Sequence, residues 1–168
     1  MGTRRVVTGH TSDGKATVAS DTIVEPYLGL SIIWGADETP TFPDDGSPLP
    51  YTTYFPPLGG FRFAITTFFP QSVIQQTSDQ EAVFGKIEDK FPGILDHMEK
   101  DNPGMHTTDT IDLGYIVSGE IWIELDNGEE VHLRAGDTFI QNGTRHAMLN
   151  KGAEPCQAVC CMIGAHRK

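Results

Sequence analysis

The chain has 168 residues, enough to bury a hydrophobic core in one domain, and its 18 glycines and 11 prolines favour a turn-rich β protein over a helical bundle. Its formal net charge of −11 argues against binding to nucleic acid, whose phosphates require a basic surface, and against docking on an anionic membrane. There is no apolar run of membrane-spanning length and no apolar segment of the signal-peptide kind after Arg4 and Arg5, so we expect a cytoplasmic protein.

The first 60 residues are predicted to form short strands followed by a loop. Residues 6–10 and 16–20 are typical of two strands joined by a turn, and residues 28–34 form another apolar β-type run. Residues 38–49 are dense in proline, aspartate and glycine and must be loop. Residues 61–69 then predict a buried strand that ends at a proline.

Residues 78–100 predict a helical insertion. Ser78 and Glu81 have the spacing of a capping box, and apolar residues recur at helical spacing over residues 83–98. Pro92-Gly93 should divide the segment into two pieces. We expect this amphipathic segment to cover one opening or surface of a β domain rather than to act as a mobile lid.

From residue 104 onward the pattern is one of short strands separated by turns. The turn Asp126-Asn127-Gly128 is a strong hairpin signal. Six strands at this pitch indicate a sandwich or a barrel, and no linker or repeat divides the chain, so residues 1–168 are predicted to form one domain. The strands are expected at residues 115–118, 121–125, 130–134, 138–141, 146–150 and 156–163.

Three cysteines lie together in the last of these strands. Cys156, Cys160 and Cys161 are an odd-numbered cluster, which does not describe a secreted disulfide framework. Adjacent residues of a strand point to opposite faces, so Cys160 and Cys161 should not share a metal ion. We interpret all three as reduced packing residues.

The residues that could carry chemistry resemble two sequence motifs of the cupin family. The segment Gly104-Met105-His106-Thr107-Thr108, continued by Asp112 and Gly119-Glu120, resembles the first motif, a glycine, a His-x-His pair, a glutamate and a second glycine. Between the motifs, Arg134-Ala135-Gly136-Asp137 resembles the family's intermotif turn. The second motif is matched by Gly143, His146 and Asn150.

The resemblance extends over about residues 60–164, with a cupin motif core at residues 104–164. It implies an all-β fold, the cupin double-stranded β-helix or jelly-roll barrel, with the short helical insertion before the first motif. It also implies a homodimer, because small cupins commonly pair by exchanging N-terminal strands, and residues 3–20 are the expected participants.

His106, Asp112 and His146 are the predicted metal ligands, and the expected ion is a divalent Fe, Zn, Mn or Ni. Imidazole and carboxylate are common ligands of these ions, and a barrel can hold them rigidly around a small cavity. The chain departs from the family pattern at two ligand positions, since Thr108 stands where the second histidine is expected and Asp112 replaces the glutamate. Gln141 also replaces the proline of the second motif.

Three interpretations of this residue set remain open. A site of two histidines and one carboxylate is the pattern of many non-haem iron enzymes. Alternatively, His106 and His146 act as acid and base without a metal ion. In the third interpretation both histidines are hydrogen-bonded core residues, and His132 is in any case expected to be exposed rather than catalytic.

The leading functional hypothesis is a metal-dependent lyase (dehydration or decarboxylation) or isomerase acting on an oxygenated, secondary-metabolite-like molecule or a hydroxy or keto acid. His106, His146 and Tyr115 are its expected catalytic residues. The alternatives are a non-haem iron dioxygenase and a cupin that binds a small ligand without catalysis. Arg62 is either an outward surface residue or an anchor for a substrate carboxylate. The predicted substrate pocket comprises Arg62, Thr108, Gln141, Met148 and Trp34.

Overall fold

The computed structural model describes residues 2–76 and 80–168, with the side chains of 80 and 81 left out. Ten strands account for most of the regular structure. The strands are β1 Thr3–His10, β2 Ala16–Val24, β3 Leu30–Ala36, β4 Phe61–Phe68, β5 Thr110–Ser118, β6 Glu120–Glu124, β7 Glu130–Arg134, β8 Thr138–Asn142, β9 Ala147–Leu149 and β10 Cys156–Gly164. The helices are α1 Gln71–Gln75 and α2 Gln80–Lys90, with short 3-10 turns at Leu95–His97 and Asp126–Gly128.

The predicted all-β fold with a short helical insertion is confirmed. A five-stranded antiparallel sheet in the order β3-β4-β10-β5-β8 lies with a three-stranded sheet in the order β7-β6-β9, and β1 and β2 form a separate hairpin. This is the arrangement of the double-stranded β-helix, in which the last strand pairs with two strands from earlier in the chain. A cavity lies between the two sheets.

Alternation along each strand decides which side chains reach the core. In β5, Thr110, Asp112, Gly114 and Ile116 are buried, whereas Leu113 and Tyr115 between them are exposed. Ile116 and the β6 residue Ile121 are fully buried. Burying side chains of this size contributes about 1.5–3 kcal/mol each. A cluster of Ile116, Ile121, Ile123, Leu133, Cys156 and Ala158 therefore forms the core at one end of the molecule.

The helical insertion packs against the other end. Helix α2 ends at Lys90, and Gly93 follows with a φ of 80°, so the break predicted at Pro92-Gly93 is present. Phe91 packs edge-on against Tyr54, with ring centroids 5.8 Å apart. Ile94 joins the same cluster and closes this end of the β structure. The predicted capping box of Ser78 and Glu81 lies outside the described residues, and α1 was not predicted.

The N-terminal hairpin is held to the rest of its own chain at two points. Arg5 donates a hydrogen bond to the Ile33 carbonyl (3.2 Å), and its guanidinium lies 5.4 Å from the Trp34 ring centroid. At the hairpin's other end, the His10 amide donates to the Asp44 carbonyl at 2.7 Å. In the described part of the chain, no helix combines the length and apolar character needed to cross a membrane.

Candidate functional site

Two histidines from distant parts of the chain meet through their main chains. The His106 amide donates to the His146 carbonyl (2.9 Å), and the His146 amide donates back to the His106 carbonyl (3.0 Å). This reciprocal pairing brings the imidazole rings side by side, with centroids 4.2 Å apart. The two histidines of the candidate site are thus brought together by the β pairing and not by flexible loops.

The ring orientation of each histidine is set by a nearby carbonyl. His106 Nδ1 lies 3.0 Å from the Gly104 carbonyl oxygen, and His146 Nδ1 lies 2.9 Å from the Thr144 carbonyl oxygen. A carbonyl can only accept, so each Nδ1 carries the proton and each Nε2 keeps a free lone pair. Histidines that ligate metals commonly have this arrangement.

Asp112 supplies a carboxylate on the inward face of β5. Asp112 is only 7% exposed, and its Oδ1 atom is buried without a hydrogen-bond partner among the described residues. Strand pairing places Met162 on one side of it and Gln141 on the other. A buried carboxylate oxygen without a partner is costly, so this atom is a candidate to meet a cation, a proton or a ligand.

Burial controls the protonation of these three groups. Desolvation, assisted by the neighbouring His146, lowers the pKa of His106 to about 4. Desolvation also lowers the pKa of His146 and raises the pKa of Asp112. Both imidazoles are therefore neutral at pH 7, which is the form that can ligate a metal ion or accept a proton.

These groups open into one cavity of about 230 Å³ between the sheets. Its wall is mainly apolar and aromatic, and its titratable groups are the two imidazoles, the Asp112 carboxyl, the Tyr54 hydroxyl and the Cys160 thiol. A pocket of this kind, with a few polar groups on an apolar wall, is typical of a small-molecule site. The lining residues are Leu30, Tyr54, Phe55, Thr66, Phe68, Ile94, Met98, Gly104, His106, Asp112, Phe139, His146, Met148, Ala158, Cys160 and Met162.

The structure brings together four of the predicted site residues, His106, Asp112, His146 and Met148, since all four line this cavity. Thr108 and Gln141 are buried, but the described cavity wall does not include them. The Thr108 hydroxyl lies 2.8 Å from the Thr110 hydroxyl, and the Gln141 side-chain carbonyl accepts a hydrogen bond from the Thr144 hydroxyl at 2.7 Å. Their assignment to the substrate pocket is corrected accordingly.

Arg62 is neither a surface residue nor a substrate anchor. Its side chain is fully buried, and it forms an ion pair with Asp37. Its guanidinium also donates to the carbonyls of Ala36 (2.7 Å) and Thr53 (2.8 Å), and it lies 4.6 Å from the Tyr51 ring centroid. Arg62 therefore ties the loop between β3 and β4 to the sheet.

Tyr115 and Trp34 also lie outside the cavity. Tyr115 is 48% exposed on the outer face of β5, because it is three residues from Asp112 and an odd separation along a strand reverses the face. Its assignment as a proton carrier at this site is therefore wrong. Trp34 lies on β3 under the guanidinium of Arg5.

Sequence reasoning missed Tyr54, Phe55 and Cys160 as residues of the cavity wall. Tyr54 and Phe55 follow a proline-rich loop that carries no periodic signal, and Phe55 lies between His97 and His106, with ring centroids 4.8 Å and 6.0 Å away. Cys160 faces the cavity while Cys161 faces outward, as strand alternation predicted. Burial raises the pKa of the Tyr54 hydroxyl and of the Cys160 thiol, so both remain protonated at neutral pH.

The candidate ligands match a divalent cation in their chemical type but not in their number. The Nε2 lone pairs of His106 and His146 and the unpartnered Oδ1 of Asp112 are the right ligand types. Among residues 2–76 and 80–168, however, no three side chains of His, Cys, Asp or Glu lie close enough together to form a metal-binding group. The two histidines, whose rings lie side by side, are therefore the better-placed ligands.

Comparison with known proteins identifies the fold of the central segment. Residues 97–162 match the family model described as the Cupin domain. The matched segment includes His106, Asp112 and His146. This segment of the chain therefore matches the family that the sequence motifs predicted.

Short stretches of the chain are similar to curated fungal proteins. A 47-residue stretch is 45% identical to phomopsin biosynthesis cluster protein C' of Diaporthe leptostromiformis, covering 28% of this chain and 25% of that protein. A 77-residue stretch is 31% identical to the cupin-domain-containing oxidoreductase srdD of Neurospora crassa, covering 46% of this chain and 39% of that protein. The chain thus spans between a quarter and two fifths of these relatives' lengths.

The solved structures that the comparison matches share little sequence with the chain. A Cupin 2 conserved barrel domain protein from Salinispora arenicola has 18% identity and a TM-score of 0.41, over 70% of this chain and 71% of that one. A predicted oxalate decarboxylase from Thermotoga maritima has 20% identity and a TM-score of 0.38, over 61% of this chain and 65% of that one.

Proposed function

We propose that the chain is a small-molecule enzyme of the cupin type, a lyase or isomerase whose reaction takes place in the cavity between the two sheets. The observation that carries this proposal is that two imidazole lone pairs and one unpartnered carboxylate oxygen open into the same apolar cavity. A site of this composition can move a proton on a bound molecule while it excludes bulk water.

In this proposal His106 and His146 hold a divalent cation through Nε2. The cation would act as a Lewis acid that polarises a carbonyl or hydroxyl oxygen of the substrate. The carbonyls of Gly104 and Thr144 keep both rings in the tautomer that leaves Nε2 free. The mutual hydrogen bonds between the two main chains maintain the spacing of the rings.

Asp112 takes the role of proton carrier. Its burial raises the pKa of the carboxyl towards the range in which a carboxyl group both accepts and returns a proton. Its Oδ1 atom is free for this exchange because no described side chain donates to it. The carboxylate predicted as the third metal ligand is thus reassigned, since it does not form a three-ligand group with the histidines.

The proposed substrate is an uncharged, oxygenated molecule with an apolar body. No lysine or arginine is among the described residues of the cavity wall, and Arg62, the predicted anchor for a substrate carboxylate, is committed to Asp37. This lining favours a neutral carbonyl or hydroxyl compound over a free hydroxy or keto acid. The similarity to proteins named for phomopsin and oryzine biosynthesis clusters supports a secondary-metabolite-like substrate.

The second candidate function is an iron-dependent dioxygenase, and one comparison favours it. The Neurospora crassa relative is described as an oxidoreductase, and its similarity to this chain extends over 77 residues. Oxygen consumption that depends on added Fe(II) would support this function. Full activity under anaerobic conditions would exclude it in favour of the lyase or isomerase.

Metal analysis of variants tests the site. Purified protein is loaded separately with Fe(II), Zn, Mn and Ni, and the bound metal is measured by elemental analysis. His106→Ala and His146→Ala are each expected to lose most of the bound metal, whereas Asp112→Asn should retain it. His132→Ala is the matched control, because His132 stacks on Trp122 on the outer face of the other sheet. Full metal content in both cavity variants would refute the assignment.

A mass-spectrometric screen tests the reaction. A panel of small uncharged carbonyl and hydroxyl compounds is incubated with the metal-loaded protein, and products are examined for loss of water, rearrangement without mass change, or addition of oxygen. The first two outcomes support the lyase or isomerase, and Asp112→Asn should then abolish turnover while it keeps the metal. A compound that binds without any conversion would indicate a non-catalytic binding protein instead.

A further inference from the structure

We propose that Phe55 determines the length of the substrate, because its ring closes the cavity between the sheets towards a second, polar pocket. The inference rests on the proposed function only in taking that cavity as the place where the substrate binds. The second pocket, which we call the outer pocket, has a volume of about 400 Å³. Its wall includes Pro57, His97, Asp109 and Arg167.

Phe55 is the one residue that the walls of the cavity and the outer pocket share, within the part of the chain that the structure describes. Its ring centroid lies 6.0 Å from that of His106 in the cavity and 4.8 Å from that of His97 in the outer pocket. Phe55 is only 9% exposed, so its side chain occupies the space between the two pockets. A single aromatic ring therefore separates them.

Hydrogen bonds fix the main chain that carries this ring. The Tyr54 amide donates to the Pro92 carbonyl (2.8 Å), and the Thr53 hydroxyl donates to the Phe55 carbonyl (2.8 Å). The Thr53 carbonyl in turn accepts a hydrogen bond from the buried guanidinium of Arg62 (2.8 Å). Because the main chain is held on both sides, the size of the side chain at position 55 decides how far the cavity extends.

The volumes of the two pockets show what the ring at position 55 excludes. The cavity holds about 230 Å³, which is below the roughly 300–1,000 Å³ of pockets that bind drug-sized ligands. Joining the cavity to the outer pocket would more than double the available volume. With Phe55 in place the cavity therefore accepts a compact molecule and rejects a longer relative that has the same reactive group.

The chemistry of the two walls adds a second criterion for selection. The outer pocket carries the ion pair of Asp109 and Arg167 and the imidazole of His97, which are hydrogen-bonding partners for a polar group. At the cavity side of the partition, a polar group on the far end of a substrate would instead be buried against the Phe55 ring. Burying such a group without a partner is unfavourable. Phe55 therefore favours a substrate whose far end is short and apolar.

The test is a binding series on the full chain, measured by isothermal titration calorimetry. The probes are saturated methyl ketones of increasing chain length, each with a tail that ends either in a methyl group or in a hydroxyl group. For the unmodified chain, each added methylene should tighten binding about fourfold until the cavity is full, after which the gain should stop. A terminal hydroxyl should weaken binding by about tenfold, because it would lie against an apolar wall.

Phe55→Ala is expected to change both trends for the long probes. The gain should continue through at least two further methylenes, so that the long ketones bind more than about tenfold tighter than they bind the unmodified chain. The terminal hydroxyl should no longer weaken their binding, whereas the short ketones should bind less tightly because they lose contact with the ring. Phe55→Leu should give an intermediate length limit and replaces the alanine variant if circular dichroism shows that the latter is unfolded.

Two control variants locate the effect. Phe139→Ala enlarges the cavity away from the outer pocket, so the terminal hydroxyl should still weaken binding. Adding Ala165→Phe to Phe55→Ala fills the outer pocket and should restore the original length limit.

The outcomes separate this inference from the proposed reaction. An unchanged length limit in a folded Phe55 variant, or the absence of binding by every probe, would overturn the inference. A length limit that moves with the side chain at position 55, while no compound is converted in the mass-spectrometric screen, would refute the reaction and support the role of Phe55.

Discussion

Acidification of the metal-free protein should destabilise it through His106. The ring of His106 is buried beside His146, and its pKa is lowered to about 4 from an ordinary value of about 6.5. In the unfolded chain the imidazole is exposed and takes up a proton as the pH falls through about 6.5. In the folded chain it remains neutral until about pH 4. The unfolded state therefore binds more protons across this window, and acid favours unfolding.

The pKa shift sets the size and the direction of the effect. A difference of about two and a half pKa units corresponds to a stability loss on the order of 3 kcal/mol, complete only when the pH has fallen below about 4. The stability is fully present above pH 6.5 and is lost as the pH falls. Asp112 acts with the opposite sign, because its raised pKa favours the folded state as the carboxyl becomes protonated. A comparison between two proteins that both retain Asp112 removes the contribution that burial makes to its pKa, and leaves only the smaller electrostatic effect of His106 on that carboxyl.

The assay is urea unfolding between pH 7 and pH 4 in the presence of a chelator. The free energy of unfolding is compared between the unmodified chain and His106→Gln, which retains Asp112 but cannot titrate at position 106. We expect the difference in stability between the two proteins to change by about 2–3 kcal/mol over this range. His132→Gln serves as the control with an outward-facing imidazole. A parallel loss of stability in all three proteins would refute the reasoning.

Two further predictions concern residues around the site. Arg62→Met should lower the free energy of unfolding by about 3–5 kcal/mol, because it removes the ionic partner of Asp37 and leaves several buried carbonyls without a donor, whereas Arg4→Met in an exposed ion pair should have a much smaller effect. Equal midpoints in chemical denaturation would contradict this. Gly114→Ala should cost about 1–3 kcal/mol, because a Cβ atom at that position would lie 2.1 Å from the Phe139 ring and push it into the cavity. Unchanged stability in the same assay would show that Phe139 moves freely.

The strands and the polar residues of the site could be predicted from local patterns. The Asp126-Asn127-Gly128 turn is present with positive φ angles at Asn127 (60°) and Gly128 (73°), as its composition predicted. His106 and His146 could be identified because motif spacing places them on paired main-chain segments. Strand alternation could also have excluded Tyr115, since its odd separation from Asp112 puts the two side chains on opposite faces.

The apolar wall and the role of Arg62 could not be predicted in this way. Tyr54 and Phe55 reach the cavity from a loop without periodicity, so their position depends on tertiary packing with the helical insertion. The even separation of Arg62 from Ala64 indicates a buried position, but its partner Asp37 is 25 residues away along the chain. Contacts of this kind depend on the path of the loop, which local sequence patterns do not encode.

The departures from the cupin motif account for where the unpartnered polar atoms lie. Thr108, which replaces a histidine, forms a hydrogen bond between its hydroxyl and that of Thr110, so it adds no unpartnered polar atom to the site. Gln141, which replaces a proline, pairs with Asp112 across β5 and β8, and both its Nε2 atom and the Asp112 Oδ1 atom are buried without described partners. Each such atom costs about 1–3 kcal/mol. Both atoms lie beside the cavity, where a bound proton, ion or substrate oxygen would give them a partner and remove this penalty. This favours a functional role for Asp112 over a purely structural one.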